Sequence, residues 1–202
     1  VNTGRGILKC MRYALESNGI TEYGGEKGLR RFVGPPFREA LRDFCGVEGE
    51  FAAKIIGDYR AMYAADGLYD CEPYPGALGC VRALRAAGRR LAVATSKPIH
   101  FARELLEKFG FFPLFECVIG AENDARAGKA EIVRRALDCL SVRVNDAVMV
   151  GDRKYDVLGA AANGIPCIAF CGGYEEEGEF VQAGACAVAE NYAALSSMLL
   201  GK

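Results

Sequence analysis

The sequence predicts an α/β fold: a parallel sheet with helices on both faces, joined to a smaller all-helical unit. Three observations carry this prediction. Short apolar runs rich in Val and Ile recur between positions 91 and 189, and helical periodicity fills the gaps between them. Each run is apolar throughout rather than alternating, the mark of strands buried on both faces of a parallel sheet. Residues 5–70, by contrast, hold helical patterns and no clear strand.

Taken in order, helical patterns cover 7–17, 27–32, 37–44 and 50–65, with "VGPPFRE" (33–39) as a break between two of them. "EPYPGA" (72–77) reads as a return linker stiffened by Pro73 and Pro75. The expected division is therefore a helical unit at 5–72 and a second unit at 73–202, which also takes residues 1–4. A helix over 77–87 carries Ala77, Leu78, Val81, Leu84 and Ala87, and Gly88 stops it. "LAVAT" (91–95) is the next strand, and Pro98 opens a helix over 98–109 with Ile99, Ala102, Leu105, Leu106 and Phe109 on one face. "CVIGA" (117–121) is a strand, and 129–140 is a helix with Ile132, Val133, Ala136, Leu137 and Leu140 on one face. "AVMVG" (147–151) is followed by a helix over 154–163, ended at "NGIP" by Gly164 and Pro166. "CIAFC" (167–171) and "ACAVA" (185–189) are the last strands.

Composition narrows the class of function. Hydrophobic residues make up 51% and charged residues 25%, which suits a soluble globular protein. A net charge of −1 supplies no field for nucleic acid or an anionic membrane. No apolar run approaches the roughly 18 residues of a membrane span, and no secretory signal pattern is present, so a cytoplasmic location is expected. Nine cysteines without a CxxC pair read as small buried hydrophobes in a reducing compartment. The single histidine, His100, argues against a zinc site.

In open parallel sheets, ligands bind beyond the carboxyl ends of the strands. The polar residues there are the candidates. "LAVATSKP" ends in Thr95, Ser96 and Lys97, beside a helix start whose free N–H groups suit a phosphate. An ordinary helix cap would explain Thr95 and Ser96 equally well. "AVMVGDRKYD" ends in Asp152, and Asp156 follows one helical turn later, so the two carboxylates share a face. Two such carboxylates repel unless a cation or a donor holds them, and a hard cation such as Mg²⁺ is one answer. A cap is the other. Lys129 opens a helix, where its charge opposes the helix dipole. It reads either as a partner for phosphate or carboxylate, or as a solvated surface lysine.

The motifs "YPGA", "VATSKP", Lys129 and "GDRKYD", in this order, resemble the haloacid dehalogenase superfamily, in its phosphoglycolate-phosphatase-like branch. The resemblance implies a Rossmann-like core with an inserted helical cap. It implies a Mg²⁺-dependent phosphatase of small phosphomonoesters, working through an aspartyl-phosphate intermediate. Thr95 would hold the phosphoryl group with Ser96, and Lys129 would neutralise it. Asp152 and Asp156 would serve the metal, and Arg38 in the cap would reach the substrate. The expected partner is a small phosphorylated metabolite such as phosphoglycolate or a nucleoside monophosphate, with no nucleic acid and no membrane, in a monomer or homodimer. The family's nucleophile stands in a D-x-D-G-T stretch that would precede "VNTGRGIL" and is not in these 202 residues. This chain alone is thus expected to be inactive, or else to serve as a non-catalytic phosphate-binding or interaction module. The strand bearing that stretch would lie between those at 91–95 and 147–151, so a gap is expected there. A nucleotide-binding reading is weak, because "CGGY" (171–174) is the only glycine cluster after a strand.

Overall fold

The computed structural model describes residues 1–121 and 128–201 and divides into two compact units, Val1–Glu72 and Pro73–Lys202. In the first unit, α1 (Gly4–Ser17), α2 (Gly25–Arg30), α3 (Phe37–Cys45) and α4 (Gly49–Ala65) lead to a short 3₁₀ turn at Gly67–Tyr69. Its core is built from Met11, Leu15, Leu29, Phe32, Leu41 and Ile55, all fully buried. The rings of Phe32 and Phe44 meet edge-on at 5.4 Å. Residues 1–4 fall with this unit, not with the second as expected. The reason is local: Asn2 N donates to Glu72 O at 2.8 Å, so the start and end of the unit are bridged.

The second unit alternates strand and helix. It runs α5 (Ala77–Ala86), β1 (Ala92–Pro98), α6 (Ile99–Lys108), β2 (Cys117–Ala121), α7 (Lys129–Leu140) and β3 (Met149–Gly151). It continues with α8 (Lys154–Ala161), β4 (Cys167–Phe170), α9 (Glu179–Ala183), β5 (Ala187–Ala189) and α10 (Tyr192–Leu200). Every strand pairing is parallel. Two apolar layers explain why. On one face Cys80 and Leu84 of α5 and Leu195 of α10 pack on Ile168, Phe170 and Ala189. On the other, Val133 of α7 and Val157 and Ala160 of α8 pack with Cys167, with Ala94 and Met149 against them. Alternate residues of β4 thus serve opposite faces, as the pleat requires, and β4 is buried along its whole length.

The strands form two sheets, β1–β2 and β3–β4–β5. Among the described residues no ladder joins β1 to β3, the two strands expected to flank a gap. Both are only partly buried, unlike β4. The cysteines are less uniform than expected: Cys10, Cys71, Cys80 and Cys167 are buried, while Cys139 and Cys186 are exposed. Among the described residues no helix is long and apolar enough to cross a membrane.

Candidate active site

The end of β1 departs from a plain strand-to-helix junction. Pairing with β2 is regular through Ala94, then breaks and resumes with Pro98 opposite Ala121. Thr95, Ser96 and Lys97 therefore belong to an irregular stretch of the strand, and α6 begins at Ile99 with Pro98 as its cap residue. This corrects the expectation that the strand ends at position 95 and that Thr95 and Ser96 sit at a helix start. The cap explanation for Thr95 also falls, because no side chain caps α6. The Thr95 hydroxyl instead accepts from Lys97 N at 3.2 Å, fixing the irregular stretch. Thr95 is half-buried and Ser96 is exposed.

Lys129 is no solvated surface lysine. Its side chain is 13% exposed; Nζ sits 2.7 Å from Asp156 Oδ1 and donates to Ala94 O at 2.8 Å. One ammonium thus ties the start of α7 to α8 and to β1 at Ala94, where the regular pairing with β2 stops. The approach depends on Gly159: a Cβ there would lie 2.7 Å from Lys129 Cγ. Such contacts are closer than packed carbons tolerate.

Asp156 is the third residue of α8 and folds back over its start. Its Oδ2 accepts from the backbone N–H groups of Asp152 and Arg153, each at 3.1 Å. That is half of a capping box. Gly151 makes it possible, since a Cβ there would lie 2.1 Å from Asp156 Cβ. Oδ1 meets Lys129 and Oδ2 accepts from two amides, so both oxygens of Asp156 are engaged. These contacts hold Asp156 against Lys129 and the Asp152 turn.

Asp152 stands at the end of β3. Burial raises its carboxyl above the usual carboxylate range; the charge of Asp156 raises it further, and Lys129 partly opposes both. Its carboxylate lies against the loop after β4, where a Cβ on Gly172 would come 3.1 Å from Asp152 Oδ2. The Tyr74 hydroxyl donates to Gly172 O at 3.0 Å and holds that loop. An anion made costly by its surroundings is a natural partner for a cation. Among the described residues, no group of three or more His, Cys, Asp or Glu could hold a metal. Among the described residues, Asp152 is a carboxylate that could hold Mg²⁺, an ion that keeps several waters and takes one or two carboxylates.

The structure therefore brings together Lys129, Asp156, Asp152 and the β1 carbonyl beside Thr95, at the carboxyl ends of β1 and β3. Arg38 belongs to the other unit, exposed in the first turn of α3. Sequence reasoning missed Gly151, Gly159 and Gly172. The available signal was weak: a glycine inside an otherwise helical run, and glycines directly after apolar strands. It also missed Glu179, whose place in an acidic run hides that it is buried.

Comparison with known proteins follows the same line. The family described as "Haloacid dehalogenase-like hydrolase" matches residues 1–170. A 5'-nucleotidase of Pseudomonas aeruginosa is 35% identical over 175 residues, 86% of this chain and 79% of that protein. Tyrosine-protein kinase PtkA of Mycobacterium tuberculosis is 40% identical over 174 residues, 86% of this chain and 59% of that protein. A phosphoglycolate phosphatase of Rhodospirillum rubrum is 39% identical over 145 residues, 71% of this chain and 60% of that protein. The chain thus spans about three fifths of the length of the last two relatives. The crystal structure of a protein named as a predicted phosphatase, from Clostridium acetobutylicum, superposes with a TM-score of 0.93 at 31% identity, over 100% of this chain and 93% of that one.

Proposed function

Because the chain belongs to the haloacid dehalogenase-like hydrolase family, we propose that the whole protein is a Mg²⁺-dependent phosphatase of small phosphomonoesters. The observation that carries the proposal is the Lys129 ammonium, held at 2.7 Å from Asp156 and 2.8 Å from the Ala94 carbonyl. It places a fixed positive charge where strand ends converge, the usual position for a ligand in such sheets.

In this reading the Thr95 hydroxyl and the Ser96 amide hold phosphoryl oxygens, and Lys129 balances their charge. Asp156 keeps Lys129 aimed, so no reorganisation is needed as charge develops. Asp152 would hold Mg²⁺, which when bound supplies further positive charge to the transferring group. The attacking carboxylate is neither Asp152 nor Asp156, both of which have other tasks. The family resemblance implies that the attacking group is an aspartate of a D-x-D-G-T stretch, which would attack phosphorus in line, release the alcohol and be freed by water. The names of two relatives, a 5'-nucleotidase and a phosphoglycolate phosphatase, point to nucleoside monophosphates and small phosphorylated acids as substrates. The resemblance assigns Arg38 to the leaving group, a cytoplasmic location and a monomer or homodimer.

The test is a phosphatase substrate screen on the whole reading frame with Mg²⁺, run beside Asp152→Asn. The proposal expects turnover of at least one small phosphomonoester and loss of most of it in the variant. A variant with near-normal rate and metal affinity would reduce Asp152 to a helix-start residue and remove the proposal.

A further inference from the structure

Beside the Asp152 turn lies a second buried charge pair that the proposed chemistry does not use. Arg153 and Glu179 are each 5% exposed. Arg153 Nε donates to Glu179 Oε1 at 2.9 Å, and Nη2 to Oε2 at 3.2 Å. Glu179 also accepts from Lys154 N at 2.6 Å and from Glu176 N at 2.9 Å. The four donors come from the turn after Asp152 and from the loop that leads into α9. They outweigh burial and hold the Glu179 carboxyl below the usual carboxylate range.

Counting amides along the turn shows what this arrangement does. The N–H groups of Asp152 and Arg153 go to Asp156, and that of Lys154 goes to Glu179. Three consecutive amides are thus fixed from two directions, by two carboxylates on different elements. The Arg153 side chain leaves by the Glu179 side. The pair is a poor device for stability: among the described residues buried Arg153 Nη1 finds no hydrogen-bond partner, and well-packed apolar residues often replace buried ion pairs without loss. Its geometry suits another purpose. A bidentate guanidinium–carboxylate contact fixes both direction and distance.

We propose that Glu179, acting through Arg153 and the Lys154 amide, is a positioning residue that sets the direction of the Asp152 carboxylate. The proposal rests on the phosphatase reading in taking Asp152 as the Mg²⁺ ligand. Partners behind a metal ligand are worth on the order of 10–100-fold in metal affinity, and that is the scale expected here.

The experiment uses the whole protein and the paired substitution Arg153→Met with Glu179→Leu, which swaps the ion pair for apolar side chains and takes the acceptor from the Lys154 and Glu176 amides. Amide hydrogen exchange at Asp152 and Arg153 is read by NMR, and Mg²⁺ binding by calorimetry. The expected result is exchange faster by roughly tenfold at both amides and Mg²⁺ affinity lower by roughly tenfold, with a cooperative melt at a lower temperature because two amides lose their acceptor. Unchanged exchange and unchanged affinity in the folded variant would overturn the proposal. If the paired variant does not fold, Glu179→Gln is read in the same way. It keeps an acceptor for Lys154 N and removes the charge, and the same two outcomes decide. An unsubstituted protein that binds no Mg²⁺ would sink the phosphatase reading, while the amide exchange would still decide the role of Glu179.

Discussion

Replacing Lys129 by Met is the sharpest perturbation of the site. The side chain keeps its length and loses its charge and all three donors. Asp156, whose side chain is 8% exposed, then loses its 2.7 Å partner, and Ala94 O loses a 2.8 Å donor. Removing one member of a buried pair costs about 3–5 kcal/mol, and a carbonyl left dry costs about 1–3 kcal/mol. The two amides on Asp156 Oδ2 remain and carry part of its charge. The expected loss is therefore at the lower end, about 3 kcal/mol, against the roughly 5–15 kcal/mol of a whole domain. Urea unfolding at pH 7, followed by circular dichroism, measures it for Lys129→Met, Asp156→Asn and the double variant. The double variant should recover much of the loss, because it leaves no buried charge alone. A cost below about 1 kcal/mol for Lys129→Met, or single costs that simply add within about 0.5 kcal/mol, would refute the coupling of these two residues.

Other outcomes follow from the same geometry. The folded-state carboxyl of Asp152 titrates above its unfolded value, so its contribution is present below the ordinary carboxylate range near 3.9 and is lost as pH rises through the raised value. Asp152→Asn should then raise the metal-free melting temperature at pH 7 and leave it unchanged in strong acid; a lower value at pH 7 would contradict this. Gly151→Ala forces a contact 2.1 Å from Asp156 Cβ and should cost about 1–3 kcal/mol or more by overpacking, measured by thermal unfolding. Thr95→Val removes the acceptor of Lys97 N; it should cost about 1 kcal/mol of stability and, in the whole protein, on the order of 100-fold in turnover. Timed alkylation read by mass spectrometry should label Cys139 and Cys186 first and Cys10 last, following their exposure.

Much of the second unit was legible because its strands are apolar throughout and its helices carry one apolar face. "CIAFC" is buried on both sides, and β4 shows it. "GDRKYD" announced two carboxylates one turn apart, but not their division of labour. Whether a carboxylate binds metal or amides depends on where its oxygens point, and the folding of Asp156 back onto the turn is a tertiary fact made possible by Gly151. Similarly, nothing near Glu179 in sequence tells of Arg153, which lies 26 residues away. The extent of β1 was misjudged because Thr95, Ser96 and Lys97 favour a helix start locally, while pairing of Pro98 with Ala121 holds the chain extended. The division of residues 1–4 was missed because one backbone bridge, Asn2 to Glu72, decides it.

The two unjoined sheets have a consequence for how this chain behaves in company. Among the described residues, β1 ladders only with β2 and β3 only with β4, so each has one edge without a ladder. Ordinary proteins guard sheet edges with charges, prolines or short strands; here β1 carries Lys97 and Pro98 and has the Lys129 ammonium on its Ala94 carbonyl, and β3 is only three residues long. An extended segment that paired with either edge would continue that sheet by one strand.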